Sequence, residues 1–170
     1  MTRRLLGAAR LFASNYQIVV CDDPSSSLGS EDDWNWDTAK SKRGFAGVPA
    51  FRMIGTEADL NDHWIELISS DQPPSPDEWQ RITCVHFHSG SGRIHIMSVI
   101  DNNAAITADV ERGDYAIYVA GQNLGIDQLS LGEKTKISDA EIAERKDIEW
   151  YRLFLVRGKP EFEGRVLVAS

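Results

Sequence analysis

Three histidines and a cysteine fall in one short run, RITCVHFHSGSGRIHIMSVI (81–100): Cys84, His86, His88 and His95. Neutral imidazoles are common ligands for zinc and copper. The His-x-His spacing puts two rings on the same side of an extended strand, because side chains alternate with a period of two. Two alternating runs flank Ser89-Gly90-Ser91-Gly92, which predicts a β-hairpin. If Ser89 faces Gly92, Phe87 opposes Ile94 and Val85 opposes Ile96 on one apolar side. His88 then opposes Arg93, His86 opposes His95, and Cys84 opposes Met97 on the other. In that register His86, His88 and His95 share a face, and zinc is the candidate cofactor. A complete zinc site wants a third and usually a fourth ligand, and sequence does not place His63. The competing reading needs no cofactor: these are half-exposed histidines on the wet side of an antiparallel pair.

Other catalytic patterns are absent. There is no G-x-S-x-G, and no glycine-rich turn leads from a strand into a helix. Adjacent carboxylates occur at Asp22-Asp23, Asp32-Asp33 and Asp77-Glu78. Neighbours on an extended chain point to opposite sides, so such pairs seldom act on one substrate atom. The reading leans toward a non-enzymatic protein.

A second constellation carries binding chemistry. The stretch SEDDWNWD (30–37) places Trp34 and Trp36 among Glu31, Asp32, Asp33 and Asp37, within an acidic loop at about 22–38. If the segment is extended, Trp34 and Trp36 share one side, and Asp33, Asn35 and Asp37 the other. Either the indoles tuck the loop onto the core and the acids face water, or the loop is a contact surface. Aromatic side chains are frequent hot spots, and carboxylates attract a basic partner. The candidate partner-binding set is Asp32, Asp33, Trp34, Trp36 and Asp37.

These residues must be carried by a mostly β scaffold. NYQIVVCD (15–22), VPAFRMIGT (48–56), AAITADV (104–110), YAIYVAG (115–121, after a turn at Gly113-Asp114), IEWYRLFLVRG (148–158) and GRVLVA (164–169) read as strands. DHWIELISS (62–70) alternates, with Trp64 and Glu66 on one side and Ile65 and Leu67 on the other. TAKSKRGFAG (38–47) predicts a short helical turn closed by Gly44. Ser138 followed by Glu141 is a capping-box pattern for one short helix over 138–145. LGIDQLSLGEKTK reads as loop. Strand signals recur without long helices between them, which predicts an all-β fold: an antiparallel β-sandwich of about eight or nine short strands. The 170 residues suit a single domain over 1–170.

Composition narrows the partners. The net charge is −8, and residues 21–80 carry 13 acids against 4 bases, a net −9. Such a surface repels nucleic acid and anionic membranes and attracts basic proteins. Basic residues cluster only at Arg3-Arg4 and Lys40–Arg43, without interleaved aromatics, so direct nucleic-acid binding is not expected. No run approaches the roughly 18 apolar residues of a spanning helix. The opening MTRRLLGAARLFA is interrupted by Arg10 and lacks a small-residue cleavage site, so it reads as a basic lead-in to the first strand rather than a signal peptide. Cys21 and Cys84 match no zinc or redox spacing. Both are expected to be reduced and buried, as in a cytoplasmic protein. The sequence carries no signal for oligomeric state.

The order of NYQIVVCDD, a tryptophan-bearing acidic loop, RGFAG, paired strands and GDYAIYVAG resembles the competence protein J family over about residues 15–120. The resemblance implies a small bacterial β-rich protein, and the family's founding role is inhibition of a DNA-entry nuclease. It transfers no catalytic residues. It implies a partner that is a basic nuclease or toxin, blocked by an inhibitor or immunity-type protein through its acidic face. The alternative is a metal-binding or hydrolytic β-sandwich that uses the histidine run.

Overall fold

A computed structural model of the chain describes residues 2–13, 16–25, 30–57, 61–100, 103–125 and 148–166. The described residues form strands β1 (Arg3–Ala13), β2 (Gln17–Cys21), β3 (Phe45–Val48), β4 (Phe51–Gly55), β5 (Asn61–Ser70), β6 (Arg81–Ser89), β7 (Arg93–Ser98), β8 (Ile106–Asp109), β9 (Gly113–Gln122), β10 (Trp150–Arg157) and β11 (Gly164–Val166). Two short helices, α1 (Glu31–Trp34) and α2 (Thr38–Arg43), lie between β2 and β3. The fold is all-β. One sheet has the order β1-β5-β10-β9-β6-β11, the other β3-β4-β2-β7-β8. Pairing is antiparallel except between β5 and β10, which run parallel with Trp64 beside Trp150 and Leu67 beside Leu153.

Period-two patterning puts one apolar set between the sheets. Ile65 and Leu67 of β5, Val85 and Phe87 of β6, and Ile117 and Val119 of β9 meet Ile18 and Val20 of β2 and Ile94 and Ile96 of β7. The alternation predicted for β5 holds. Ile65 and Leu67 are fully buried, while Glu66 on the outer side pairs with Arg152 at 2.8 Å. Burying aliphatic side chains contributes roughly 1.5–3 kcal/mol each, which sets this face inward. Buried Arg52 of β4 seals one seam between the sheets. It donates to the carbonyls of Gly47 (2.8 Å) and His86 (2.8 Å), and Glu163 lies 3.2 Å away.

The predicted hairpin at 81–100 is not one. β6 pairs with β9 and β11, whereas β7 pairs with β2 and β8. The turn at 89–92 carries the chain from one sheet to the other. Val85, Phe87, Ile94 and Ile96 do share an apolar interior, but they face one another across the sandwich instead of lying side by side. The arch is tied to the end of β2. The Asp22 carboxylate accepts from Ser91 N (3.1 Å) and Ser91 Oγ (2.8 Å), and Ser89 Oγ lies 3.0 Å from it.

The basic segment expected as a lead-in is itself the 11-residue edge strand β1, with Leu11 and Ala13 in the core and Arg3 4.7 Å from the Phe154 ring centroid. The helix expected at 138–145, and the loop before it, lie outside the described residues. Cys21 and Cys84 are both buried and unpaired, on different sheets. Burial pushes their thiols up to about 12 and about 11.

Candidate functional site

From residue 30 on, the acidic segment forms two capped helical turns, not extended chain. In the first, the Asp33 carboxylate accepts from Ser30 N (2.8 Å) and Ser30 Oγ (3.0 Å). The bond from the Ser30 backbone, more than any other influence, holds the Asp33 carboxyl below its ordinary range. In the second, Asp37 caps α2 by accepting from Lys40 N at 2.8 Å. Such a cap satisfies a backbone donor that the helix itself leaves open. Gly44 closes α2 at φ +89°, donating to Lys40 O at 2.9 Å, as expected of a left-handed C-cap. The Lys40 ammonium bridges the two turns by donating to the carbonyls of Asp32 and Asn35.

Both tryptophans anchor this unit. Trp34 and Trp36, with Phe51, cover Val19, Cys21, Ala46, Met53 and Met97 on the outer face of the five-stranded sheet. The Trp34 ring centroid lies 4.7 Å from that of Phe51. Trp36 Nε1 donates to Gln17 Oε1 at 2.9 Å. All five residues of the candidate partner-binding set therefore fall on one compact unit above one sheet face. Asp32 and Asp37 are exposed, and Asp33 is half-buried. The nearby cations of α2 (Lys40, Lys42 and Arg43) moderate its charge.

The histidines are not brought together as a set. His86 and His88 point outward from β6, and both meet Asp114 of β9: His86 Nε2 lies 2.8 Å and His88 Nδ1 3.0 Å from Asp114 Oδ1. These two hydrogen bonds, His86 first, keep the Asp114 carboxyl below its ordinary value. His95 points outward from β7, on the other sheet, with Nδ1 2.9 Å from Thr107 Oγ1. Burial, then the Arg93 charge, lowers its pKa. The separation follows directly from the arch at 89–92, which turns a would-be common face into two opposite outer faces. Among the described residues, no group of three or more His, Cys, Asp or Glu is arranged to hold a metal ion.

His63, which sequence could not place, belongs to a buried polar network. Its Nε2 lies 3.2 Å from Glu149 Oε2, and both side chains are fully buried. Glu149 also accepts from Tyr151 OH and from Glu57 N (2.9 Å). Arg81 donates to Tyr151 OH (3.1 Å) and pairs with Glu57. Burial alone would raise the Glu149 pKa. The hydrogen bonds from His63 and Tyr151 outweigh it and bring the carboxyl down to about 2. A carboxylate at the head of a strand, followed two residues later by a tyrosine, was the sequence signal available.

Between the network and the acidic loop opens a pocket of about 450 Å³, lined by Tyr16, Trp36, Ser41, Gly44, Glu57 and Arg165 among others.

Comparison with known proteins accords with this architecture. A family model described as Competence protein J (ComJ) matches residues 10–136. No curated protein matches the chain. A solved structure of ComJ from Bacillus subtilis, described as an inhibitor of the DNA degrading activity of NucA, aligns with a TM-score of 0.64 at 15% identity, over 92% of this chain and 98% of that one. The structure of a protein described as crocagin biosynthetic gene J aligns with a TM-score of 0.52 at 17% identity, over 95% of this chain and 100% of that one. At these identities the likeness is one of fold.

Proposed function

The chain belongs to the competence protein J family, and from that premise we propose that it is a non-enzymatic inhibitor of a DNA-degrading nuclease. The nuclease is expected to be basic, and the contact is made by Asp32, Asp33, Trp34, Trp36 and Asp37. The inhibitor activity described for the Bacillus subtilis relative supports the class of function. The observation that carries the choice of surface is the mounting of the loop. Three carboxylates ride on two capped turns that Trp34 and Trp36 hold against a sheet. A preorganised anionic surface loses little conformational entropy on binding, and it steers association with a cationic cleft that otherwise receives DNA phosphates. Asp33 carries its charge at neutral pH, since its hydrogen bonds from Ser30 hold its carboxyl below the ordinary range. On this proposal the protein acts in the bacterial cytoplasm, with no cofactor.

The test is a pull-down from native lysate at low salt, followed by a DNA-degradation assay of what is recovered. The parent chain is expected to capture a DNA-degrading activity and to suppress it when added in excess. The Asp32/Asp33/Asp37→Asn variant should associate more slowly and with a weaker dependence on salt. Equal capture and equal salt dependence with both proteins would remove the acidic loop from the contact.

A further inference from the structure

The pocket beside Trp36 contains a guanidinium that forms no direct ion pair with a described residue. Arg165 sits on β11 opposite Thr83 of β6 and reaches into this pocket. Its hydrogen bond is to Ser41 O at 3.5 Å, the limit of such contacts, and no described carboxylate lies within ion-pair distance of it. Glu57, the acid on the pocket wall, is already held by Arg81. Partial burial, and after it the Arg81 charge, pushes the Arg165 pKa down against the opposing influence of Glu57.

The placement of Arg165 depends on its surroundings. A Cβ at Gly44 would lie 3.3 Å from Arg165 Nε and 3.2 Å from Thr83 Oγ1, so the glycine that caps α2 also leaves room for the guanidinium. Ser41 lies on the same wall beside Arg165, and its side chain carries a hydroxyl. The Trp36 N–H is taken by Gln17, so its ring offers the pocket an apolar surface, and half-exposed Tyr16 offers a second. An apolar-walled cleft of about 450 Å³ with a few convergent polar groups matches the usual character of small-molecule sites.

We propose that this pocket binds a small aromatic oxyanion, a carboxylate or phosphate on a ring, with Arg165 as charge partner, Ser41 as hydroxyl donor, and Trp36 and Tyr16 as walls. Guanidinium pairs with carboxylate or phosphate in a bidentate fork that lysine cannot reproduce. The site borders the surface proposed for the nuclease and shares Trp36 with it, but its charge partner Arg165 is not one of the loop residues, so Arg165 variants test it apart from the inhibitor reading.

The test titrates phenyl phosphate and benzoate into the isotopically labelled full chain and follows the indole Nε1 signals by NMR, with inorganic phosphate and phenol as comparison arms. The Trp36 signal, assigned from its loss in Trp36→Phe, should shift saturably with at least one aromatic oxyanion. Arg165→Met should weaken that binding by about tenfold or more, and Arg165→Lys by less, in keeping with loss of a charge-assisted bond. Arg165 is exposed, so an unchanged unfolding midpoint will establish that both variants are folded. No saturable shift with either aromatic oxyanion would overturn the proposal. So would equal affinity in Arg165→Met, or phenol binding as tightly as phenyl phosphate.

Discussion

Replacing Glu149 by Gln keeps the shape of the buried side chain and removes its charge. In the folded chain the carboxyl is brought from an ordinary 4.5 down to about 2. A fall of that size corresponds to about 3 kcal/mol of differential stabilisation of the ionised form. Because the folded pKa is depressed, this stability is fully present above about pH 5 and is lost as pH falls toward 2. Glu149→Gln should therefore be about 3 kcal/mol less stable at pH 7. With a urea slope of about 2 kcal/mol per M, the midpoint should fall by about 1.5 M. The amide also cannot accept from His63, Tyr151 and Glu57 N as a carboxylate does, which adds to the loss in the same direction. Urea unfolding followed by tryptophan fluorescence at pH 7 and pH 3 measures both quantities. The gap between parent and variant should narrow markedly at pH 3, because protonation of the parent begins to remove the charge that the variant lacks. An equal gap at both pH values, or a variant as stable as the parent at pH 7, would refute the assignment of Glu149 as an ionised, hydrogen-bonded hub.

Three further outcomes are expected. Gly47→Ala should destabilise by more than about 2 kcal/mol in the same urea assay, since Gly47 has φ +86° and a Cβ there would overlap the Phe51 carbonyl oxygen of the paired strand β4; a midpoint within error of the parent would show that the strand pair relaxes freely. Asp22→Asn should cost about 1 kcal/mol by weakening the bonds from Ser89 and Ser91 that tie the arch to β2, and native hydrogen exchange should accelerate first at Ser91 N. Cys21 and Cys84, buried with thiols pushed up to about 12 and about 11, should resist alkylation at pH 8 in the native protein and react in urea; native reaction at the unfolded rate would contradict their burial.

Local chemistry in the sequence was sufficient for several features. The runs IEWYRLFLVRG and YAIYVAG were legible as strands, and the alternation in DHWIELISS separated its two faces, because apolar and polar side chains at a period of two sort to opposite sides of a strand. The turn closed by Gly44 was legible because a helix end needs the left-handed backbone that glycine adopts without strain. Membership of the family was likewise carried by residue order. The partner of each strand was not legible. The run 81–100 satisfies the same alternation whether its halves lie side by side or stack across a core, and only the competing pairings of β9 with β6 and of β2 with β7 decided for the arch. That decision sent His95 to the opposite face from His86 and His88. The Trp36 side chain likewise acquired its role from contacts distant in sequence, with Gln17 and the outer cluster of the five-stranded sheet, and Arg165 and Glu149 acquired theirs from strands far along the chain. Sequence patterning states which side of a strand is apolar. Which residues then meet depends on long-range pairing, whose free energy belongs to two segments at once and is written in neither.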